Sequence, residues 1–181
     1  MIDSLKEKAA RFIIKKKIQS SEFSQRNFST IFSKTYSFLV LMPSKESDFK
    51  YVFPILDYLR EQRKNIIVMT YDFRVSLLQP YFKTNAVEHG LKDETKLNLP
   101  AKKLLEKLTN MRFDVIIDTN REENLFYSYI AKYLHTNVKI GFTRSGSDSD
   151  KYFNFQVINK QHDPETSYKN LLDSIKMFQG N

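Results

Sequence analysis

From residue 37 onward, short apolar runs alternate with longer amphipathic ones. SFLVLM (37–42) is almost wholly apolar, the mark of a strand covered on both faces. FKYVFPILDYLREQRK follows, with Val52, Ile55, Leu56 and Leu59 spaced for one side of a helix. Pro54 falls near its first two turns and predicts a kink there. NIIVMTY (65–71) reads as a second buried strand, VSLLQPYF as a short helix and AVEH as a brief third strand. LPAKKLLEKLTNM (99–111) is helical, with Leu104, Leu105 and Leu108 on one face. FDVIIDT (113–119) is the clearest strand. ENLFYSYIAKYLH (123–135) predicts a helix, VKIGF (138–142) a strand and YFNFQVI a further strand. PETSYKNLLDSIKMFQG closes as a helix, with Pro164 near its start and Gly180 after its end.

Buried-type strands alternating with helices predict βαβ units, a mainly parallel sheet and right-handed crossovers. The expected fold class is therefore α/β: a single Rossmann-like three-layer sandwich over residues 37–181. Ligands of such sheets bind beyond the carboxyl ends of the strands. That rule directs attention to Ser44–Asp48, Tyr71–Arg74, Asp118–Glu123 and Thr143–Asp150.

Residues 1–36 differ in character. Eight Lys/Arg against three acids give them a balance of +5 out of a net +8, leaving +3 for the other residues. Ile2, Leu5, Ala9, Phe12 and Ile13 fall near helical spacing, with Lys6, Lys8, Arg11, Lys15 and Lys16 around them. The expectation is a basic amphipathic helical extension. Two roles fit it. The apolar stripe docks on the main domain while the lysines face water, or Lys6, Arg11, Lys15, Lys16 and Lys17 engage an anionic partner such as a membrane surface or RNA.

Composition narrows the chemistry. A chain 41% hydrophobic and 28% charged is neither disordered nor a membrane span. No apolar run approaches the roughly 18 to 20 residues that crossing a bilayer needs, so a cytoplasmic protein is expected, peripheral at most to the inner face of a membrane. With no cysteine, disulfides and thiol chemistry are excluded. Four glycines leave neither G-x-G-x-x-G nor a P-loop. His89, His135 and His162 are scattered and read as surface or structural residues; GSDSD (146–150) lacks the spacing of a calcium loop. No metal and no cofactor is expected. The aromatic residues Phe126, Tyr127, Tyr129 and Tyr133 read as core with an amphipathic rim, and Gly141 as a turn or a close packing contact.

Asp48, at the junction of the first strand and the first helix of the domain, is the most pointed candidate. Asp48 or Ser47 can cap that helix; a carboxylate there can also accept a proton from a bound hydroxyl. Arg74, Arg121, Arg144 and Lys151 follow strands and could meet phosphates, or form a solvated rim.

The same residues carry a resemblance. Ser47-Asp48 followed by Pro54-Ile55-Leu56 and Leu59-Arg60, the strand FDVIIDT, the strand VKIGF and the ending YKNLLDSIKMFQG resemble, in that order, the N-terminal domain of glycosyltransferase family 9, the lipopolysaccharide heptosyltransferases. The resemblance covers roughly residues 37–180. It implies one half of a GT-B fold, the acceptor side, without the nucleotide-sugar-binding half. It makes Asp48 the general-base position, and leaves Ser47, Arg74, Arg121, Arg144 and Lys151, by their place after the strands, as the candidate acceptor- or phosphate-binding positions. Ser47 stands where the family has glycine, and the basic extension lies outside the family pattern. The functional expectation is a non-catalytic binding or accessory subunit. The alternative is the acceptor-binding half of a metal-independent inverting sugar transferase, completed by a donor-binding chain or a larger assembly.

Overall fold

The computed structural model describes residues 2–17, 34–144, 153–160 and 162–178. Its sheet has six strands: β1 (Ser37–Leu41), β2 (Asn65–Tyr71), β3 (Ala86–His89), β4 (Val115–Asp118), β5 (Val138–Phe142) and β6 (Phe155–Val157). They lie in the order β3-β2-β1-β4-β5-β6 and every pairing is parallel, so the expected mainly parallel sheet is wholly so. The helices are α1 (Ile2–Lys17), α2 (Phe49–Glu61), α3 (Pro80–Lys83), α4 (Lys102–Met111), α5 (Leu125–Tyr133) and α6 (Pro164–Met177).

Strand alternation splits the core into two layers. Phe38, Val40, Val68, Ile117, Ile140 and Phe142 point to one face, where Val52, Ile55, Leu56 and Leu59 of α2 and Leu171 and Ile175 of α6 cover them. Leu39, Leu41, Met69 and Ile116 point to the other, beneath Leu104, Leu105 and Leu108 of α4 and Phe126, Tyr127 and Ile130 of α5. Both faces being apolar explains why the strands read as continuous apolar runs. Each such side chain contributes about 1.5–3 kcal/mol on burial. The fold is the Rossmann-like three-layer sandwich that the pattern predicts.

α1 joins the second layer. Ala10 and Ile14 are buried in its apolar cluster, and Lys132 Nζ of α5 donates to the Ile14 carbonyl at 2.8 Å. Arg11 pairs with Glu123. The extension is thus docked on the domain, at least along this helix.

Element ends depart from the expectation for local reasons. The helix from Phe49 stops at Glu61 because Arg63 adopts φ 55°, which no helix continues through. The helix expected from 99 begins at Lys102, since Pro100 is occupied in a bridge with Glu94. The single short helix over 75–82 is two pieces, a 3-10 turn at Asp72–Leu77 and then α3, with Pro80 at its first turn. Asn124 caps α5 by accepting from the Tyr127 amide, which sets the start at Leu125, two residues beyond the expected Glu123. Gly141 is a close packing contact: a Cβ there would lie 3.1 Å from the Phe153 ring.

Candidate functional site at the sheet switch point

β1 and β4 are neighbours whose crossovers leave in opposite directions across the sheet, so the crevice beyond their carboxyl ends is the topological switch point. Two segments meet there: Met42–Lys45 after β1 and Thr119–Glu123 after β4. Asn120 stitches them together. Its Nδ2 donates to the Met42 carbonyl at 3.2 Å and to Asp118 Oδ1 at 2.8 Å, while its Oδ1 accepts from the Ser44 amide at 2.7 Å. Thr119 Oγ1 donates to the Leu41 carbonyl at 2.6 Å.

Asp48 sits in this network with 3% exposure. It occupies the N-cap position of α2, yet its side chain makes no capping hydrogen bond. Its carboxylate instead accepts from Arg121 Nε at 2.9 Å, and Ser47 Oγ lies 3.2 Å from its Oδ1. The Tyr168 hydroxyl of α6 lies 3.4 Å from Asp48 Oδ2 and 2.7 Å from the Thr119 carbonyl. A phenol has one proton, and the shorter contact takes it. Burial and then the Asp48 charge push the Tyr168 phenol far above its ordinary pKa, so it serves as a neutral donor. Burial works against the Arg121 charge; the Asp48 hydrogen bond and charge outweigh it, so the Arg121 pKa lies above its ordinary value.

The other two candidate arginines among the described residues are also turned inward. Arg144 Nη2 donates to Asp118 Oδ2 at 2.7 Å and to the Asn120 carbonyl at 2.6 Å, and its Nε reaches the same carbonyl at 3.1 Å. Asp118 is fully buried and Arg144 is 8% exposed. Arg144 Nη1, also buried, has no hydrogen-bond partner among the described residues. Arg74 donates to the Pro43 carbonyl at 3.2 Å and to the Ser44 carbonyl, with its guanidinium among the rings of Phe49, Tyr71 and Phe73. Lys151 lies outside the described residues.

Over the switch point an open cleft of about 520 Å³ is bounded by Lys45, Arg121, Glu122, Glu123, Arg144, Asn159 and His162. Lys45 pairs with Glu122 across it. A second cleft of about 430 Å³ runs between α1 and the β2 and β4 exits, with Lys6, Glu7, Glu94 and Glu123 above Tyr71 and Phe126. Burial raises the Glu94 pKa.

The structure therefore brings Ser47, Asp48, Arg121 and Arg144 to one crevice. It divides the five cations named for an anionic partner: Lys15 and Lys16 are exposed, Arg11 is paired with Glu7 and Glu123, Lys6 borders the acidic cleft, and the side chain of Lys17 lies outside the described residues. Tyr168, Asn120 and Asp118 escaped the residue-level reading. Asp118 and Asn120 lay in the post-strand segment that the fold rule marks, whereas nothing in PETSYKNLL marks its tyrosine. Among the described residues no three His, Asp or Glu side chains gather as a metal site, and no helix is long and apolar enough to cross a membrane.

A protein-family model described as a family of unknown function (DUF6913) matches residues 6–178, and the chain belongs to that family. The matched span takes in most of α1 together with the whole sheet. No curated protein matches the chain.

Proposed function

We propose that this family member is a non-catalytic binding or accessory module, a Rossmann-like lobe held at an anionic membrane surface by the outward face of α1. One observation carries the reading. With Ala10 and Ile14 turned inward, α1 presents Leu5 (67% exposed) and Phe12 (62% exposed) to solvent among Lys8, Lys15 and Lys16, all exposed. Among the helix residues whose side chains are described, the exposed ones that flank the two apolar side chains include no acid except Glu7, which is bonded to Arg11. Lys16 Nζ sits 5.7 Å from the Phe12 ring. Phosphate tracking on RNA needs the lysines but not a leucine and a phenylalanine standing in water; an interfacial helix uses both.

The magnitudes describe a reversible anchor. Three lysines near an anionic leaflet contribute about 1 kcal/mol each, and two partly inserted apolar side chains add roughly 2–3 kcal/mol. The total corresponds to a dissociation constant on the order of 0.1 mM. The protein should co-sediment with vesicles containing phosphatidylglycerol or phosphatidylserine, weaken as salt shortens the Debye length, and ignore pure phosphatidylcholine. Joint replacement of Lys8, Lys15 and Lys16 by Glu should abolish binding, and Leu5→Ser with Phe12→Ser should weaken it about tenfold or more. Binding to phosphatidylcholine alone, or binding to RNA that the serine pair leaves unchanged, would refute the membrane reading.

The non-catalytic part rests on Asp48. A carboxylate 3% exposed, bonded to Arg121 and bordering a pocket of about 10 Å³, leaves little room for an acceptor hydroxyl. Kinship with glycosyltransferase family 9 belongs to the same proposal, as does its alternative, an acceptor half completed by a donor-binding chain. Under the preferred reading, Asp48→Asn lowers stability and no nucleotide-sugar turnover accompanies the wild-type chain. Turnover that Asp48→Asn abolishes in a folded protein would favour the alternative.

A further inference from the structure

We propose that the switch-point cleft is a binding site for a small phosphomonoester. Three independent features converge. The cleft lies where order reversal in a parallel sheet opens a crevice, between the exits of β1 and β4. Its volume of about 520 Å³ lies within the range of roughly 300–1,000 Å³ that small-molecule sites occupy. Two arginines, Arg121 and Arg144, line it, and Arg144 Nη1, which has no accessible surface of its own, is unpartnered among the described residues. A buried guanidinium N–H left without an acceptor is costly, so a small shift of the Arg144 side chain toward a phosphoryl oxygen in the cleft would satisfy it, beside charge-assisted bonds from Lys45 and Arg121.

The remaining lining fits the same chemistry. Lys45 is half exposed at the mouth, Arg121 supplies a second fixed guanidinium, and Asn159 and His162 add polar groups. Glu122 and Glu123 oppose an anion, but each already has a cation, Lys45 for the first and Arg11 for the second. An arriving phosphate competes with Glu122 for Lys45, so binding releases a surface carboxylate rather than burying an uncompensated charge. Asn159 Nδ2 donates to the Arg121 carbonyl at 2.8 Å, which ties the segment after β6 to the segment after β4 at the cleft. Arg121 keeps its Asp48 bond throughout, so the site is formed before the ligand arrives.

Phosphoryl oxygen can come from a soluble ester or from a lipid headgroup, and the test separates them. The full chain is titrated with inorganic phosphate, with glycerol 3-phosphate and with a water-soluble short-chain phosphatidic acid, each against sodium chloride of equal ionic strength. Backbone amide shifts are followed by NMR. Saturable shifts at Lys45, Arg121, Glu122, Arg144 and Asn159 are expected. A soluble source shows as glycerol 3-phosphate binding at least as tightly as the lipid, a headgroup source as the reverse. Lys45→Ala, at an exposed side chain that should leave folding intact, is expected to weaken binding about fivefold; Arg121→Gln, checked for native melting, about tenfold or more. Non-saturating shifts equal to those of chloride, shifts confined to the α1 lysines, or unchanged affinity in Lys45→Ala and folded Arg121→Gln would each overturn the site.

Discussion

Arg144→Met should cost about 3–5 kcal/mol of stability, the range for removing one partner of a buried pair. Asp118 has no exposed surface, and Arg144 supplies the donor to its Oδ2. Removing the guanidinium leaves that oxygen charged in the interior and frees the Asn120 carbonyl, which loses two donors at once. For a domain of this size the loss corresponds to a fall in melting temperature on the order of 10 °C. The double variant Asp118→Asn with Arg144→Met should recover a good part of it, because a neutral amide no longer needs a counter-charge. Urea unfolding of the two variants beside the wild type reads the difference. A loss below about 1 kcal/mol in the single variant, or no recovery in the double, would mean that solvent already reaches the pair.

The layers were legible in the sequence and the rim was not, for one physical reason. Periodicity reports which face of an element is covered, and it does so locally. Val52, Ile55, Leu56 and Leu59, and likewise Leu104, Leu105 and Leu108, are buried as their spacing predicts. β2 and β5 span the residues that their apolar runs mark. Asp48 meets Arg121 across 73 positions and Tyr168 across 120, and no local pattern encodes such a meeting. The cap preference of aspartate made the wrong local partner attractive: the side chain serves a distant guanidinium rather than the first turn of α2. Helix ends were blurred for a related reason, since the φ of Arg63 and the Glu94–Pro100 bridge are set by the surrounding chain.

The inward-turned arginines answer a need that every parallel sheet has. Carbonyls at the carboxyl edge run out of strand partners, and buried ones must find other donors. Here side chains supply them: Thr119 to Leu41, Asn120 to Met42, Arg74 to Pro43 and Ser44, Tyr168 to Thr119, and Arg144 to Asn120. The rim is thereby stiff, and two of its buried donors, Arg144 Nη1 and Arg74 Nε, are left without a partner among the described residues. A stiff rim with a spare donor suits recognition better than it suits proton transfer, because a general base must approach its substrate with a free oxygen.

A second large effect should appear on acidification. His89 ends β3 with no exposed surface, its Nε2 2.7 Å from the Tyr127 hydroxyl and its ring stacked 4.5 Å from Phe126. Nδ1 is buried without a partner among the described residues. Burial lowers the imidazole pKa from 6.5 to about 4, against the nearby Asp93 and Asp72, which favour the charged form. Between those two values the unfolded chain binds a proton that the folded chain refuses, so stability falls as the pH drops from about 6.5 to about 4. At about 1.4 kcal/mol per unit the full effect is on the order of 3 kcal/mol. Carboxylates add their own acid dependence, so the informative quantity is the difference between wild type and His89→Gln, whose amide can still bond Tyr127 but does not titrate. Urea midpoints from pH 7.5 to 4 should show the wild type losing ground to the variant by about that amount, nearly all of it below pH 6.5. Parallel curves would mean that His89 takes up its proton without cost, and the sealed aromatic box around it would have to be open to water.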